Sequence, residues 1–162
     1  MEIGREALAY ADALHNLARY LTGSDVEAED LVQETYARAL KGAGGFTPGT
    51  NLKAWLFRIL RNTFVDVYRR RRNDPTVGGL DTVEPAVHGP VDDGAFGKLV
   101  AEDFERAMMH LTEDARTVIL LDLEGLTDVE VAAVVGCAVG TVKSRLARAR
   151  AALRQRLHDY IE

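Results

Sequence analysis

Few folds can accommodate the segment from Thr127 to Leu157. Thr127-Asp128-Val129-Glu130 has the pattern of a capping box, in which a hydroxyl and a carboxylate satisfy the first free amides of a helix. The helix it opens stops at Gly136, and Gly140-Thr141 opens another that the spacing extends to about Tyr160. At about 100° per residue, Val142, Leu146, Ala149, Leu153 and Leu157 share one side of that second helix. It therefore packs inward along a single stripe. A short helix, a tight turn containing glycine and a longer helix make the helix-turn-helix pattern. The longer helix carries Lys143, Arg145, Arg148, Arg150, Arg154 and Arg156, with no acid between Thr141 and Leu157.

The rest of the chain follows the same period. A first helix is expected over roughly Arg5–Leu21, with Leu8, Ala11, Leu14 (or His15), Ala18 and Leu21 at mixed three- and four-residue spacing. Ser24-Asp25-Val26-Glu27 reads as another capping box, opening a helix with Leu31, Tyr36 and Leu40 among its apolar positions and ending at Gly42-Ala43-Gly44-Gly45. Phe46-Thr47-Pro48-Gly49-Thr50-Asn51 is a loop and cap. Leu52, Trp55, Leu56, Ile59, Leu60, Phe64 and Val67 then form the buried stripe of a third helix that runs into Arg69–Arg72. Between Asn73 and Gly94 lie Pro75, Pro85 and Pro90 with several glycines, the composition of a linker. Helical spacing resumes near Ala95, and Thr112 caps a helix to about Leu123, with Gly125 at its left-handed end. No strand alternation is present. The expected fold is all-α, with two small helical lobes at 1–73 and 95–162 and a flexible acidic linker over 74–94.

Composition removes other classes. Of 162 residues, 47% are apolar and 28% charged, the balance of a folded soluble chain. The lone Cys137 forms no internal disulfide and suits a reducing cytoplasm. The longest apolar run, near Ala132–Val139, is far below the roughly 20 residues that span a bilayer, so no membrane insertion is expected. The start, MEIGREALAY, has no basic or long apolar export region. The net charge of −5 conceals segregation. Residues 1–34 and 73–103 are acidic, whereas 58–72 and 141–157 are basic. Two separated basic segments suggest two polyanion contacts on one chain.

The outward face of the last helix presents Thr141, Ser144, Ala147, Arg148 and Gln155, flanked by Lys143 and Arg145. The start of such a helix is what enters a major groove, where Arg favours guanine and Ala can touch a thymine methyl. The plainer reading is a solvated amphipathic helix. Trp55, Phe57, Phe64 and Tyr68 near Arg69–Arg72 could grip a single strand by stacking and charge, although Trp55 and Phe64 also suit a core. The acids Asp25, Glu27, Glu29, Asp30 and Glu34 suggest a magnesium site only weakly, because acids belong in a first helical turn. No phosphate loop, histidine pair or nucleophile set is present. No catalytic residue, metal or cofactor is expected.

Asp30-Leu31-Val32-Gln33-Glu34-Thr35-Tyr36 followed by Trp55-Leu56-Phe57-Arg58-Ile59-Leu60-Arg61-Asn62-Thr63 resembles region 2 of extracytoplasmic-function (ECF, group IV) sigma factors. Gly125-Leu126-Thr127 and the run from Val139 to Arg150 resemble their region 4. The resemblance covers nearly everything but the linker, and the two blocks in this order are highly specific. It implies a bacterial initiation factor that binds core RNA polymerase and directs it to promoter DNA. By that resemblance, Asp30, Leu31, Gln33 and Glu34 dock on polymerase, and Phe46 and Asn62 handle the single-stranded minus-10 element. Thr141, Lys143, Ser144, Ala147 and Arg148 correspondingly read the minus-35 element. An anti-sigma factor is the implied regulator. The stretch Phe46–Leu56 is similar to the subgroup held by zinc-binding, redox-sensing ones.

The chain departs from the family pattern in three places. Thr112 replaces a usual Pro, Ala138 stands in the turn where Pro is common, and Asp122 stands where many members carry a phosphate-facing Arg. Two rival functions remain at this point. A self-sufficient helix-turn-helix regulator would footprint DNA without polymerase, and a metal-dependent nuclease would cut a substrate with magnesium.

Overall fold

The computed structural model of the protein describes residues 3–69 and 94–161. Helices α1 (Ile3–Leu8), α2 (Ala11–Thr22), α3 (Asp25–Lys41) and α4 (Leu52–Thr63) form the first lobe, with a 3-10 turn at Ala43–Gly45 and a π-helical turn at Phe64–Arg69. Helices α5 (Gly94–Met109), α6 (Glu113–Leu123), α7 (Asp128–Val135) and α8 (Val139–Ile161) form the second. No strand occurs among the described residues. The side chains of Arg69–Arg72, and the expected linker up to residue 93, lie outside the described residues; Gly94 begins α5.

The first lobe is built on Leu14, Leu17, Ala18 and Leu21 of α2, Ala28 and Leu31 of α3, and Leu56, Phe57 and Leu60 of α4, all buried. The helix expected over Arg5–Leu21 is in fact two, broken at Ala9-Tyr10. The Tyr36 hydroxyl donates to the Ala7 carbonyl at 2.8 Å and anchors the end of α1 on α3. Leu8 consequently points to solvent, 64% exposed, where the periodicity had placed it in the core. Leu40 is exposed too. It lies nine positions from the buried Leu31, half a turn out of phase with it. The box expected at Ser24–Glu27 is only half formed. The Ser24 hydroxyl accepts from the Glu27 amide at 3.3 Å, but the Ser24 amide is taken by the Thr22 hydroxyl at 3.3 Å.

The second lobe follows the sequence closely. Thr112 caps α6 by accepting from the Ala115 amide at 3.2 Å, and Gly125 follows at φ 90°. At the start of α7 the Thr127 hydroxyl accepts from the Glu130 amide at 3.2 Å, and a Glu130 carboxylate oxygen accepts from the Thr127 amide at 2.9 Å. Gly136, at φ 76°, ends α7 in the left-handed conformation that costs other residues most. Val142, Leu146, Ala149 and Leu153 of α8 are buried as the stripe requires.

The two lobes share an interface. α7 packs against α4, and α6 against α2, so the apolar core runs continuously through both lobes. Polar contacts close its edge. The Lys53 ammonium lies 2.7 Å from a Glu124 carboxylate oxygen and donates to the Glu124 carbonyl at 2.8 Å. The Asn51 side-chain oxygen accepts from the Ala54 amide at 3.2 Å and so caps α4, while its NH2 donates to Glu130 at 3.0 Å.

Candidate nucleic-acid and polymerase interfaces

The first turn of α8 closes on Ala138, whose carbonyl accepts from the Thr141 and Val142 amides at 3.0 and 3.1 Å. A Thr141 that is half-buried then leads into Lys143, Ser144, Ala147 and Arg148, all exposed on one side of the helix. The Ser144 hydroxyl donates to the Gly140 carbonyl at 2.9 Å, which keeps it close to the helix surface. The basic residues of α8 fall into two sets. Arg150 is 2.6 Å from Asp122, and Arg145 is 3.9 Å from Asp114, so acids of α6 hold both. Lys143 and Arg148 have no ion-pair partner among the described residues and face solvent. Asp122, standing where a phosphate-facing Arg is usual, is thus spent on fixing a neighbouring Arg.

In the first lobe, the loop after α3 brings Phe46 against Trp55, with ring centroids 5.2 Å apart and planes tilted by 53°. Phe46 is only 9% exposed. Asn62, near the end of α4, is exposed, and its amide has no hydrogen-bond partner among the described residues. It does not tie down the loop. Of the aromatic residues considered for stacking, Phe57 and Phe64 belong to the core. Tyr68 has its side chain outside the described residues.

On α3, Asp30, Gln33 and Glu34 are exposed. Leu31 is 0% exposed and belongs to the packing that holds α3 in the lobe, so it presents no surface to a partner. Glu34 accepts from the Arg38 guanidinium at 3.1 Å, with Asp66 at 3.3 Å on the other side. The Glu34 hydrogen bond, with Asp66 behind it, raises the Arg38 pKa above its ordinary value. The acids from Asp25 to Glu34 do not converge: no group of three potential ligands able to hold a metal ion occurs among the described residues. No helix among them is long and apolar enough to cross a membrane.

Sequence reasoning took Phe57 as a stacking candidate and missed its place in the core, because Trp55 and Leu56 already accounted for the stripe there. It also missed the pairing of Lys53 with Glu124 and of Asn51 with Glu130. These residues are 71 and 79 positions apart, and no local periodicity connects them.

Comparison with known proteins agrees with this geometry. Sigma-70 region 2 matches residues 7–74 and sigma-70 region 4 matches residues 101–153. The ECF RNA polymerase sigma factor EcfG of Rhodopseudomonas palustris (strain TIE-1) is 41% identical over 149 residues, which span 91% of this chain and 81% of that protein. The sigma factor RpoE from Bartonella quintana, solved with the anti-sigma factor NepR, is 37% identical, covers 96% of each chain and superposes with a TM-score of 0.83. CnrH, solved with the cytosolic domain of CnrY, is 27% identical over 97% of this chain and 88% of its own, with a TM-score of 0.68. With both regions matched in order around a helix-turn-helix whose basic face is open, the chain belongs to the sigma-70 family as an ECF RNA polymerase sigma factor.

Proposed function

We propose that this chain is a group IV initiation factor that works in the cytoplasm, binds core RNA polymerase and carries it to promoters, without covalent chemistry of its own. The observation that carries this reading is the exposed face of α8, where Lys143, Ser144, Ala147 and Arg148 stand on a helix held from behind by an apolar stripe, Lys143 and Arg148 with no ion-pair partner among the described residues. That face, with Thr141 at its edge, reads the minus-35 element; Arg148 suits a guanine and Ala147 a thymine methyl. Asn62 reads the minus-10 strand, since an exposed amide donates and accepts together. Phe46 joins it in holding an unstacked base once its contact with Trp55 opens. Asp30, Gln33 and Glu34 form the polymerase-docking surface of α3.

The minus-10 and minus-35 elements lie some 25 base pairs apart, about 85 Å of duplex at about 3.4 Å per step. Lobes in contact with each other do not span that distance, so the chain opens to engage a promoter. A partner that favours the closed form is therefore an inhibitor. Bartonella quintana RpoE was solved in complex with the anti-sigma factor NepR, and this reading extends an anti-sigma factor to this chain. Run-off transcription tests the proposal: core polymerase plus the chain yields a discrete, promoter-dependent transcript that neither gives alone. A footprint made by the purified chain without polymerase would instead favour the self-sufficient regulator.

A further inference from the structure

Four polar contacts that join the lobes share one polarity. The donor comes from the first lobe and the carboxylate from the second: Arg19 with Glu105 at 3.4 Å, Lys53 with Glu124 at 2.7 Å, Arg61 with Asp114 at 3.9 Å, and the Asn51 amide with Glu130 at 3.0 Å. Three of the four donors belong to α4 or its cap. An ordinary surface interface has no reason to sort its charges this way, because mixed pairs serve equally well.

Two of these donors have other work in their own lobe. Arg19 also approaches Asp25 at 3.9 Å, and Asn51 caps α4. Lys53 and Arg61 differ. Among the described residues their only ion-pair partners are Glu124 and Asp114, both in the second lobe. Both cations are largely covered, with side chains 21% and 16% exposed. Once the lobes separate, each loses its carboxylate and stands uncovered on α4. They lie eight residues apart, about 12 Å along the helix, on the side that had faced the second lobe. Arg61 immediately precedes Asn62. Cations spaced along a helix beside an exposed amide suit a nucleic-acid strand, the charges taking its phosphates and the amide a base edge.

We propose that Lys53 and Arg61 form a phosphodiester-binding site on the first lobe, and that Glu124 and Asp114 occupy it in the free chain as stand-ins for phosphate oxygens. Promoter strand and second lobe then compete for the same cations. In the free chain this site is shielded from stray nucleic acid, and opening the lobes exposes it. This inference rests on the promoter-binding reading above and adds two contacts that reading did not include.

The test compares the two partners of one pair. A single-stranded minus-10 oligonucleotide is titrated onto the free chain and onto the holoenzyme, over a range of salt. With holoenzyme, Lys53→Gln lowers the salt slope by about 0.7, the value of one lost single-strand phosphate contact, and Lys53→Arg restores it. With the free chain, Glu124→Gln strengthens oligonucleotide binding whereas Lys53→Gln weakens it. If the pair is only structural, both substitutions break the same interface and move binding in the same direction; that result overturns the proposal. Binding of minus-35 duplex by each variant holoenzyme checks that the second lobe is still folded. A wild-type holoenzyme that neither binds the oligonucleotide nor initiates transcription overturns the promoter reading and this inference together. Wild-type binding with an unchanged slope in Lys53→Gln overturns the phosphate site alone.

Discussion

Glu130 holds two helix starts at once, and removing it separates what the lobes owe to each other from what each owes to itself. One carboxylate oxygen accepts from the Thr127 amide at 2.9 Å, closing the capping box of α7, and the other accepts from the Asn51 NH2 at 3.0 Å. Thr127→Ala removes the cap hydroxyl and costs about 1 kcal/mol. Glu130→Ala removes two hydrogen bonds near the surface and costs about 1–2 kcal/mol. Asn51→Ser keeps an oxygen to cap α4 but removes the donor toward Glu130, so it costs about 0.5 kcal/mol, the low end for one exposed bond. Urea unfolding followed by circular dichroism reads all three, and each kcal/mol also moves the melting temperature by about 2–4 °C for a chain of this size. In the Glu130→Ala background, Asn51→Ser should cost nothing further. An undiminished cost there would mean that the hydrogen bond between Asn51 and Glu130 carries no energy across the interface. Acid supplies a second check. The Thr127 amide first, and then the Asn51 side chain, hold the Glu130 carboxyl below its ordinary pKa. Stability from this group is therefore full above the ordinary carboxylate pKa and is lost as pH falls through the lowered one.

Arg148→Ala should weaken minus-35 duplex binding by about 1–3 kcal/mol and relax preference at one position, whereas Arg154→Ala, off the outward face, should matter less; binding to a panel of promoter variants decides. Equal, uniform losses would reduce α8 to a non-specific phosphate binder. Gln33→Ala and Glu34→Ala should weaken assembly with core polymerase, measured by fluorescence anisotropy, while lowering the melting temperature of the free chain by no more than about 1–2 °C, the worth of the exposed pair of Glu34 with Arg38. Leu31→Ala should instead lower stability by about 2–5 kcal/mol, because its side chain is in the core. Burial, with Glu105 adding to it, raises the Tyr20 pKa from 10.0 to about 12. Stability should thus decline as pH rises from about 10 through about 12, and Tyr20→Phe should remove that part of the slope in alkaline unfolding curves.

How much of this was readable in the sequence depended on how local the cause was. The box at Thr127–Glu130, the cap at Thr112, the glycine ends at Gly125 and Gly136, and the stripe of α8 all arise from residues within a turn or two of each other, and all are present. The box at Ser24 failed through a residue just outside its pattern: Thr22 reached the Ser24 amide before Glu27 could. The break between α1 and α2 depends on Tyr36, 29 positions from its acceptor Ala7. Such a contact has no signature in a window of sequence. Among the site residues, the exposure of Asp30, Gln33, Lys143 and Arg148 follows from helical phase. Phe46 does not, since only the folded loop shows that its ring lies on Trp55.

The acids on α6 and at its end give the placement of charge around the two basic helices a physical reason. A chain with two basic nucleic-acid faces faces a difficulty before it meets polymerase: each exposed cation adds to non-specific affinity by releasing counterions from whatever nucleic acid is nearby. Simple dilution of the positive charge with scattered acids would lower that affinity but would weaken the functional faces equally. Here the acids are placed instead. Asp114, Asp122 and Glu124 sit on α6 or at its end, and between them they take Arg61, Arg145, Arg150 and Lys53. Acids on or just past α6 thus neutralise cations on both helices assigned to promoter elements, α4 and α8. The pairs within the second lobe, such as Asp122 with Arg150, persist when the lobes part and fix the position of α8. Under the opening proposed above, the pairs between lobes are lost, and that loss would uncover α4. A single acidic helix can therefore be permanent scaffolding for one DNA-binding element and a removable cover for the other.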